Sequence, residues 1–234
     1  SPDYWINRLP NPDRILKTTA DLGKFNKEIH MMIRERVDIF DPAYRPSGAQ
    51  TREQLELEYE TVSNRILFSS DGKRIPKPFF SAEIKPVVAR ETVPRNLSLQ
   101  WGVATRATSV RALPTTVKML EEVGDIEFDQ LQFTLIKLWT PVAILHTSPD
   151  ERWHYVQAPY VRGWVRSAHV AVFPTRKALS EKVRAKKFLV VTGESVPVCF
   201  DVSCRAIYQK PTMGTILPAW IKKGTGYVVD MPLR

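Results

Sequence analysis

RWHYVQAPYVRGWVRSAHVA, residues 152–171, carries two tryptophans, two tyrosines and two histidines in twenty positions. Taken two residues at a time, Trp153, Tyr155 and Gln157 fall on one side of an extended chain, and His154, Val156 and Ala158 on the other. The run breaks at Ala158-Pro159, resumes at Tyr160-Val161 and meets Gly163 just before Trp164-Val165. A glycine at that place is what a bend or bulge between short strands requires. The stretch therefore predicts two short β-strands with a kink, the inside of a small β-barrel. A binding surface is the rarer explanation of such aromatic density.

The same period of two extends on both sides. ATRATSVRALP, 104–114, reads as a strand, and LWTPVAILHTS, 138–148, as another that turns through SPDE into the opening segment. Between them lies an acidic stretch with Glu121, Glu122, Asp125, Glu127 and Asp129, the pattern of a solvated loop. Short strands with polar turns over some eighty residues predict a small barrel.

Residues 1–90 follow another rhythm. TTADLGKFNKEIHMMIRE sets Leu22, Phe25, Ile29, Met32 and Ile33 at helical spacing, with Thr18 or Thr19 as N-cap and Asp21 in the first turn. Thr51-x-x-Gln54 resembles a capping box ahead of a stripe formed by Leu55, Tyr59, Val62 and Ile66. The segment SSDGKRIPKPFFSAEIKPVVARETVP, 69–94, is rich enough in proline to predict an extended arm over a neighbouring surface. Downstream, TRKALSEKVRAKK, 175–187, has the spacing of a short exposed linking helix, and residues 188–234 return to strands and glycine turns.

Composition narrows the function classes. Thirty-four lysines and arginines against 25 acids give a net charge of +9, which favours polyanionic surroundings: nucleic acid, acidic lipid or acidic envelope polymers. No stretch reaches the length of a membrane span. Cys199 and Cys204 lie five apart, and the sequence leaves open a small disulfide loop or two buried thiols. No C-x-x-C pair or nearby histidine supports a metal site, and Gly224-x-Gly226 lacks the rest of any nucleotide fingerprint. No cofactor is expected. Arg106 and Arg111 fall on opposite faces of their strand, which argues against a single-strand nucleic-acid binder.

Four motif pieces then acquire a joint meaning: Ser-Val-Arg-Ala-Leu-Pro-Thr at 109–115, Phe-Asp-Gln-Leu-Gln at 128–132, Trp-His-Tyr-Val at 153–156 and Gly-Trp-Val at 163–165. In this order and spacing they resemble the first bacterial SH3-type module that precedes the catalytic domain of NlpC-family cell-wall cysteine peptidases. YWINRLPNPDRILKTTADLGKFN, 4–26, is similar to the helical stabilising segment of those proteins, and VTGESVPVCFD with MGTILPAW to their second SH3-type module. The resemblance implies an α+β, mainly β chain: a helical N-terminal segment with a proline-rich arm at 1–92, a first SH3-like β-barrel at 93–174, a linker at 175–187 and a second small barrel at 188–234, cut short at its end. It also implies a periplasmic or envelope protein whose parent hydrolyses the γ-D-glutamyl to diamino-acid bond of peptidoglycan peptides.

Such a peptidase needs its cysteine in an Asp-Cys-Ser-Gly-like turn with a histidine later in the chain. Here Asp201-Val202-Ser203-Cys204 has another order, and no histidine follows it. The expectation is a non-catalytic scaffold and substrate-positioning region whose partners are stem peptides or wall polymer and its own C-terminal catalytic domain, with a stand-alone wall-binding protein as the alternative. No catalytic residue is assigned. Asp129, then Glu127, with Tyr160 as the aromatic neighbour, are the expected residues for holding the free amino group of a stem peptide.

Overall fold

The computed structural model describes residues 2–33, 36–218, 220–224 and 226–233. The chain divides into two compact units, residues 1–36 and 37–234. In the first, α1 (Pro2–Ile6) and α2 (Thr19–Met32) are short helices. Thr18 caps α2: its hydroxyl accepts from the Asp21 N–H at 3.2 Å, and the Asp21 carboxylate accepts from the Thr18 N–H at 2.9 Å. Two of the first-turn donors that a helix leaves unpaired are thereby satisfied. The stripe of Leu22, Phe25 and Met32 stays open to solvent in this unit, and Ile33 lies just past the helix end.

The second unit is built on a curled, seven-stranded antiparallel sheet. Its strands are β1 (Gln100–Ala104), β2 (Thr108–Arg111), β3 (Gln132–Ile136), β4 (Pro141–Thr147), β5 (Trp153–Ala158), β6 (Val161–Arg166) and β7 (Val170–Phe173), in the order β3-β2-β6-β5-β4-β1-β7. The expected single strand at 104–114 is thus two, because the chain turns at 105–107 and moves to the other end of the sheet. β5 and β6 form a regular hairpin from Trp153↔Arg166 to Ala158↔Val161.

The alternation in β5 has an unexpected outcome: both of its faces are buried. Val156 and Ala158 join Val110, Ile136, Ile144 and Val165 inside the curl of the sheet. Trp153 and Tyr155 face outward, yet they pack with Trp164 under a helical layer containing Leu55, Val62, Phe80 and Val88. Each large apolar side chain so covered contributes ~1.5–3 kcal/mol relative to exposure. Gly163 sits where this packing is tightest. A Cβ there would stand 2.7 Å from the Arg111 carbonyl oxygen and 2.8 Å from Val110 Cγ1, so only a hydrogen fits.

The helical layer departs from two expectations. Helix α3 spans Gly48–Ser63 and is capped by Ser47 with Gln50, not by Thr51 with Gln54. Thr51 lies inside the helix, its hydroxyl bonded back to the Ser47 carbonyl at 3.0 Å. Leu55 and Val62 of the expected stripe are buried, whereas Ile66 lies beyond the helix and is exposed. The proline-rich segment is not an extended arm. It forms α4 (Lys77–Phe79), a π-turn (Phe80–Ile84), α5 (Lys85–Val88) and a 3-10 turn (Arg90–Thr92). Two of its prolines, Pro78 and Pro86, occupy first-turn positions, where the missing N–H is no loss, and Phe80, Ile84 and Val88 are buried.

After β7, Thr175 caps α6 (Arg176–Val183). Residues 188–233 form three two-stranded ribbons: β8 (Phe188–Val190) with β11 (Ile216–Pro218), β9 (Val198–Cys199) with β10 (Ile207–Gln209), and β12 (Trp220–Lys223) with β13 (Gly226–Val229). A disulfide joins Cys199 to Cys204. This region leans on the seven-stranded sheet through Gln209, whose side-chain amide donates to the Thr105 carbonyl at 2.7 Å, and Trp139, whose indole N–H donates to the Asp230 carbonyl at 3.1 Å.

Candidate functional site

The loop between β2 and β3, residues 112–131, is zipped at its base and open at its tip. Ala112 donates to the Leu131 carbonyl and Gln130 to that of Met119, both at 2.8 Å, while Leu120 exchanges two backbone bonds with Phe68. Leu113, Met119, Leu120 and Leu131 are buried beneath these bonds. Beyond them Glu121, Glu122, Asp125 and Glu127 reach solvent alongside exposed Val123, Ile126 and Phe128. An acidic, partly apolar tip thus stands on a rigid root, in a chain that is otherwise strongly basic.

The three residues expected to hold an amine occupy different situations. Asp129 is at the root: Oδ2 accepts from Arg111 Nη1 at 2.7 Å, and Oδ1 accepts from the N–H groups of Leu131 (3.1 Å) and Met119 (3.3 Å). The guanidinium's second arm donates to the Val117 carbonyl at 2.9 Å. Glu127 lies two residues away on the open tip. Tyr160 is half-exposed in the β5–β6 turn, its hydroxyl bonded to the Thr140 side chain. Because Arg111 pairs with Trp164 in an antiparallel register, the loop leaves the sheet towards the end where that turn lies. No hydrogen bond or ion pair joins Tyr160 to Glu127 or Asp129 among the described residues.

A second polar centre was not anticipated. Glu58 of α3 is nearly buried against β5 and β6, where Oε1 accepts from Tyr155 Oη at 2.8 Å and Gln54 Nε2 at 3.0 Å. Arg162 Nε stands 4.0 Å away, and Oε2 is buried without a partner. Loss of hydration pushes the Glu58 carboxyl up to about 7, against the opposing pull of Tyr155, Gln54 and Arg162. Burial likewise raises Tyr44, beside Arg162 and Arg176, to about 12. One signal for Glu58 was present: position 58 shares a helical face with Leu55 and Val62, so this glutamate of α3 sits on the apolar stripe.

Neither cysteine is a nucleophile while bridged to the other. No group of His, Cys, Asp and Glu able to hold a metal ion occurs among the described residues. No helix among them is long and apolar enough to cross a membrane. A further cleft of ≈ 400 Å³ lies between β7, α6 and the final segment, lined by Trp139, Phe173, Pro174, Lys182, Asp230 and Met231 among others.

This geometry has a counterpart in known proteins. Residues 119–166 match an SH3 domain of the SH3b1 type. The match runs from the β2–β3 loop to the end of β6, and so contains the acidic tip, Asp129 and Tyr160. No curated protein sequence matches the chain. Among solved structures the fold is similar to an NlpC/P60 endopeptidase from Photobacterium damselae subsp. piscicida, with a TM-score of 0.66 and 15% identity over 94% of this chain. The chain spans 52% of that protein's length. The likeness is one of fold.

Proposed function

We propose that this chain is the non-catalytic scaffold and substrate-positioning region of a cysteine endopeptidase that hydrolyses the γ-D-glutamyl to diamino-acid bond of peptidoglycan peptides, with that enzyme's catalytic domain as its partner. Two SH3-type modules, 93–174 and 188–234, carry that domain, and the helical layer from α3 to Val93 braces the first of them. The observation that carries the reading is the SH3b1 match over the loop whose tip presents Glu121, Glu122, Asp125 and Glu127 to solvent. Likeness of fold to an endopeptidase, over about half of that protein, supports it. The disulfide supports an envelope or periplasmic location, since such bridges persist in oxidising compartments.

Within the site, Glu127 accepts the ammonium of a stem peptide, and Ile126 and Phe128 cover its apolar portion. Asp129, held by Arg111, positions the loop from behind, and Tyr160 offers its ring from the neighbouring turn. A carboxylate–ammonium bond gains strength from the partial exclusion of water that such neighbours provide. The test is titration of the purified chain with a free stem tripeptide and with its N-acetylated form. The free peptide is expected to bind about tenfold tighter, and Glu127→Gln to abolish the difference. Equal binding of both peptides overturns the assignment. The chain alone is expected to release no new amine from muropeptides; turnover that disappears on Cys199→Ala or Cys204→Ala overturns the scaffold reading.

A further inference from the structure

The net charge of the chain is unevenly placed. Residues 176–233 contain ten lysines and arginines and four acids, so a quarter of the chain carries two thirds of the net +9. Two of those acids are already engaged, Asp230 with Lys182 and Glu181 with Lys177. No carboxylate among the described residues lies within ion-pair distance of Lys186, Lys187, Lys222 or Lys223. Cations without anions at these positions attract a polyanion.

The β12–β13 hairpin gives this surface a shape. Its register pairs Trp220 with Val229 and Lys222 with Tyr227, and residues two apart on a strand share a face. Trp220, Lys222, Tyr227 and Val229 therefore lie together. The two rings meet edge to face at 5.2 Å, and Lys187 Nζ stands 5.8 Å from the Trp220 ring centre. Tyr227 is half-exposed. The face combines an open aromatic ring, a second ring that props it, the Lys187 ammonium beside that second ring, and Lys222 opposite Tyr227 in register.

We infer that the Lys187, Trp220, Lys222 and Tyr227 face binds an acidic polysaccharide. A pyranose ring presents a flat row of C–H groups that packs on an aromatic face, and a uronate carboxylate projects from the edge of that ring. Directly opposed side chains on an antiparallel pair stand about 5 Å apart at Cβ, so Tyr227 and Lys222 can address the ring and the carboxylate of one sugar residue. Single-stranded nucleic acid is less well served, because successive bases need a series of parallel stacking platforms and this pair is perpendicular. The bridged cysteines also point to an oxidising compartment, where the abundant polyanions are glycans. This site lies outside the acidic loop proposed for stem peptides and has the opposite charge.

The test uses the whole chain with a polymannuronate oligosaccharide as probe, followed by tryptophan fluorescence and calorimetry at low salt. Neutral mannan oligosaccharide, oligothymidylate and phosphatidylglycerol vesicles are run in parallel. Binding to the uronate alone is expected, with about tenfold loss for the Lys187→Gln/Lys222→Gln double variant and about fivefold for Tyr227→Leu. Tyr227→Phe is expected to stay within about twofold, since the ring is kept. Glu127→Gln should leave this binding unchanged, which separates its failure from failure of the peptide site. Tighter binding of oligothymidylate or vesicles, equal binding of the neutral sugar, or indifference to the lysine and tyrosine variants in folded protein overturns the inference.

Discussion

Arg111 at the end of β2 and Asp129 at the foot of the acidic loop form an ion pair at 2.7 Å, with 9% and 8% of their side chains exposed. The pair closes an eighteen-residue excursion at its root, and both Asp129 oxygens have partners. Breaking a buried pair by removing one member leaves the other charge stranded, at a cost of ~3–5 kcal/mol. Asp129→Ala and Arg111→Met are each expected to lower the unfolding free energy, read from urea melts, by an amount of that order. The Arg111→Met/Asp129→Leu double variant should recover part of the loss. A double variant that loses the sum of both would show that the two residues act independently.

Glu58 gives stability a pH dependence of defined sign. Its carboxyl ordinarily titrates near 4.5 and is raised to about 7 in the fold by burial, so the native state binds this proton more tightly than the unfolded chain. The contribution is full below about pH 4.5 and is lost as pH rises through about 7, with a span of ~3 kcal/mol. Burial shifts His146 and His169 downward, which contributes with the opposite sign in an overlapping window. The informative quantity is therefore the difference between wild type and Glu58→Gln. That difference should change steadily between about pH 4.5 and 7.5; a flat difference would show that Glu58 titrates as an ordinary carboxylate.

Gly163→Ala tests the closeness of β2 and β6. The added methyl meets a backbone oxygen and a buried valine at under 3 Å, and neither can move without shifting its strand. Destabilisation of ~1–3 kcal/mol is expected, read as a lower melting temperature with the strand content unchanged. A melting temperature equal to that of wild type would contradict the packing.

Reduction of Cys199–Cys204 is expected to act locally. The bridge closes a short loop and restricts the unfolded chain by ~2 kcal/mol. The ribbon it staples is only half-buried and pairs with no other strand among the described residues, whereas β5 and β6 are held between two apolar layers. Hydrogen exchange should accelerate at residues 198–209 on reduction and stay slow in β5 and β6. Thiol titration of the unreduced, denatured chain should find no free thiol. Faster exchange throughout the sheet would mean that the bridge supports the whole unit.

What could be read in advance was what neighbouring residues decide between themselves. The two-residue alternation at 153–158 and the Thr18–Asp21 cap were legible because each depends on a few consecutive positions. Gly163 reads as a kink in the sequence, but β6 runs through it in regular register with β5, and the glycine is needed because Arg111 and Val110 of β2 come too close for a Cβ. The same locality misled at Thr51-x-x-Gln54, where a capping pattern sits four residues inside the helix that Ser47-x-x-Gln50 begins. Proline in 76–86 reads as a helix breaker, yet in the first turn of successive short helices it costs nothing. Of the candidate site, the acidic loop was legible as a charge run, but its division of labour was not.

That division depends on partners far away in the chain. Asp129 and Glu127 are chemically alike and two positions apart, and only the folding of Arg111 against the loop root makes one an anchored, nearly buried carboxylate and leaves the other in water. Glu58 differs from the other acids of α3 because it is buried against β5 and β6: loss of hydration raises its proton affinity, and the hydrogen bond from Tyr155, 97 residues later, only partly offsets this. The sequence by itself determined the strand period of β5, the cap of α2 and the surplus of positive charge, all set by local stereochemistry and composition. Which carboxylates are dehydrated, which face of β5 lies under a second layer and which lysines stand without an anion were decided by tertiary structure, because hydration and Coulomb energy depend on distances in space that chain separation does not encode.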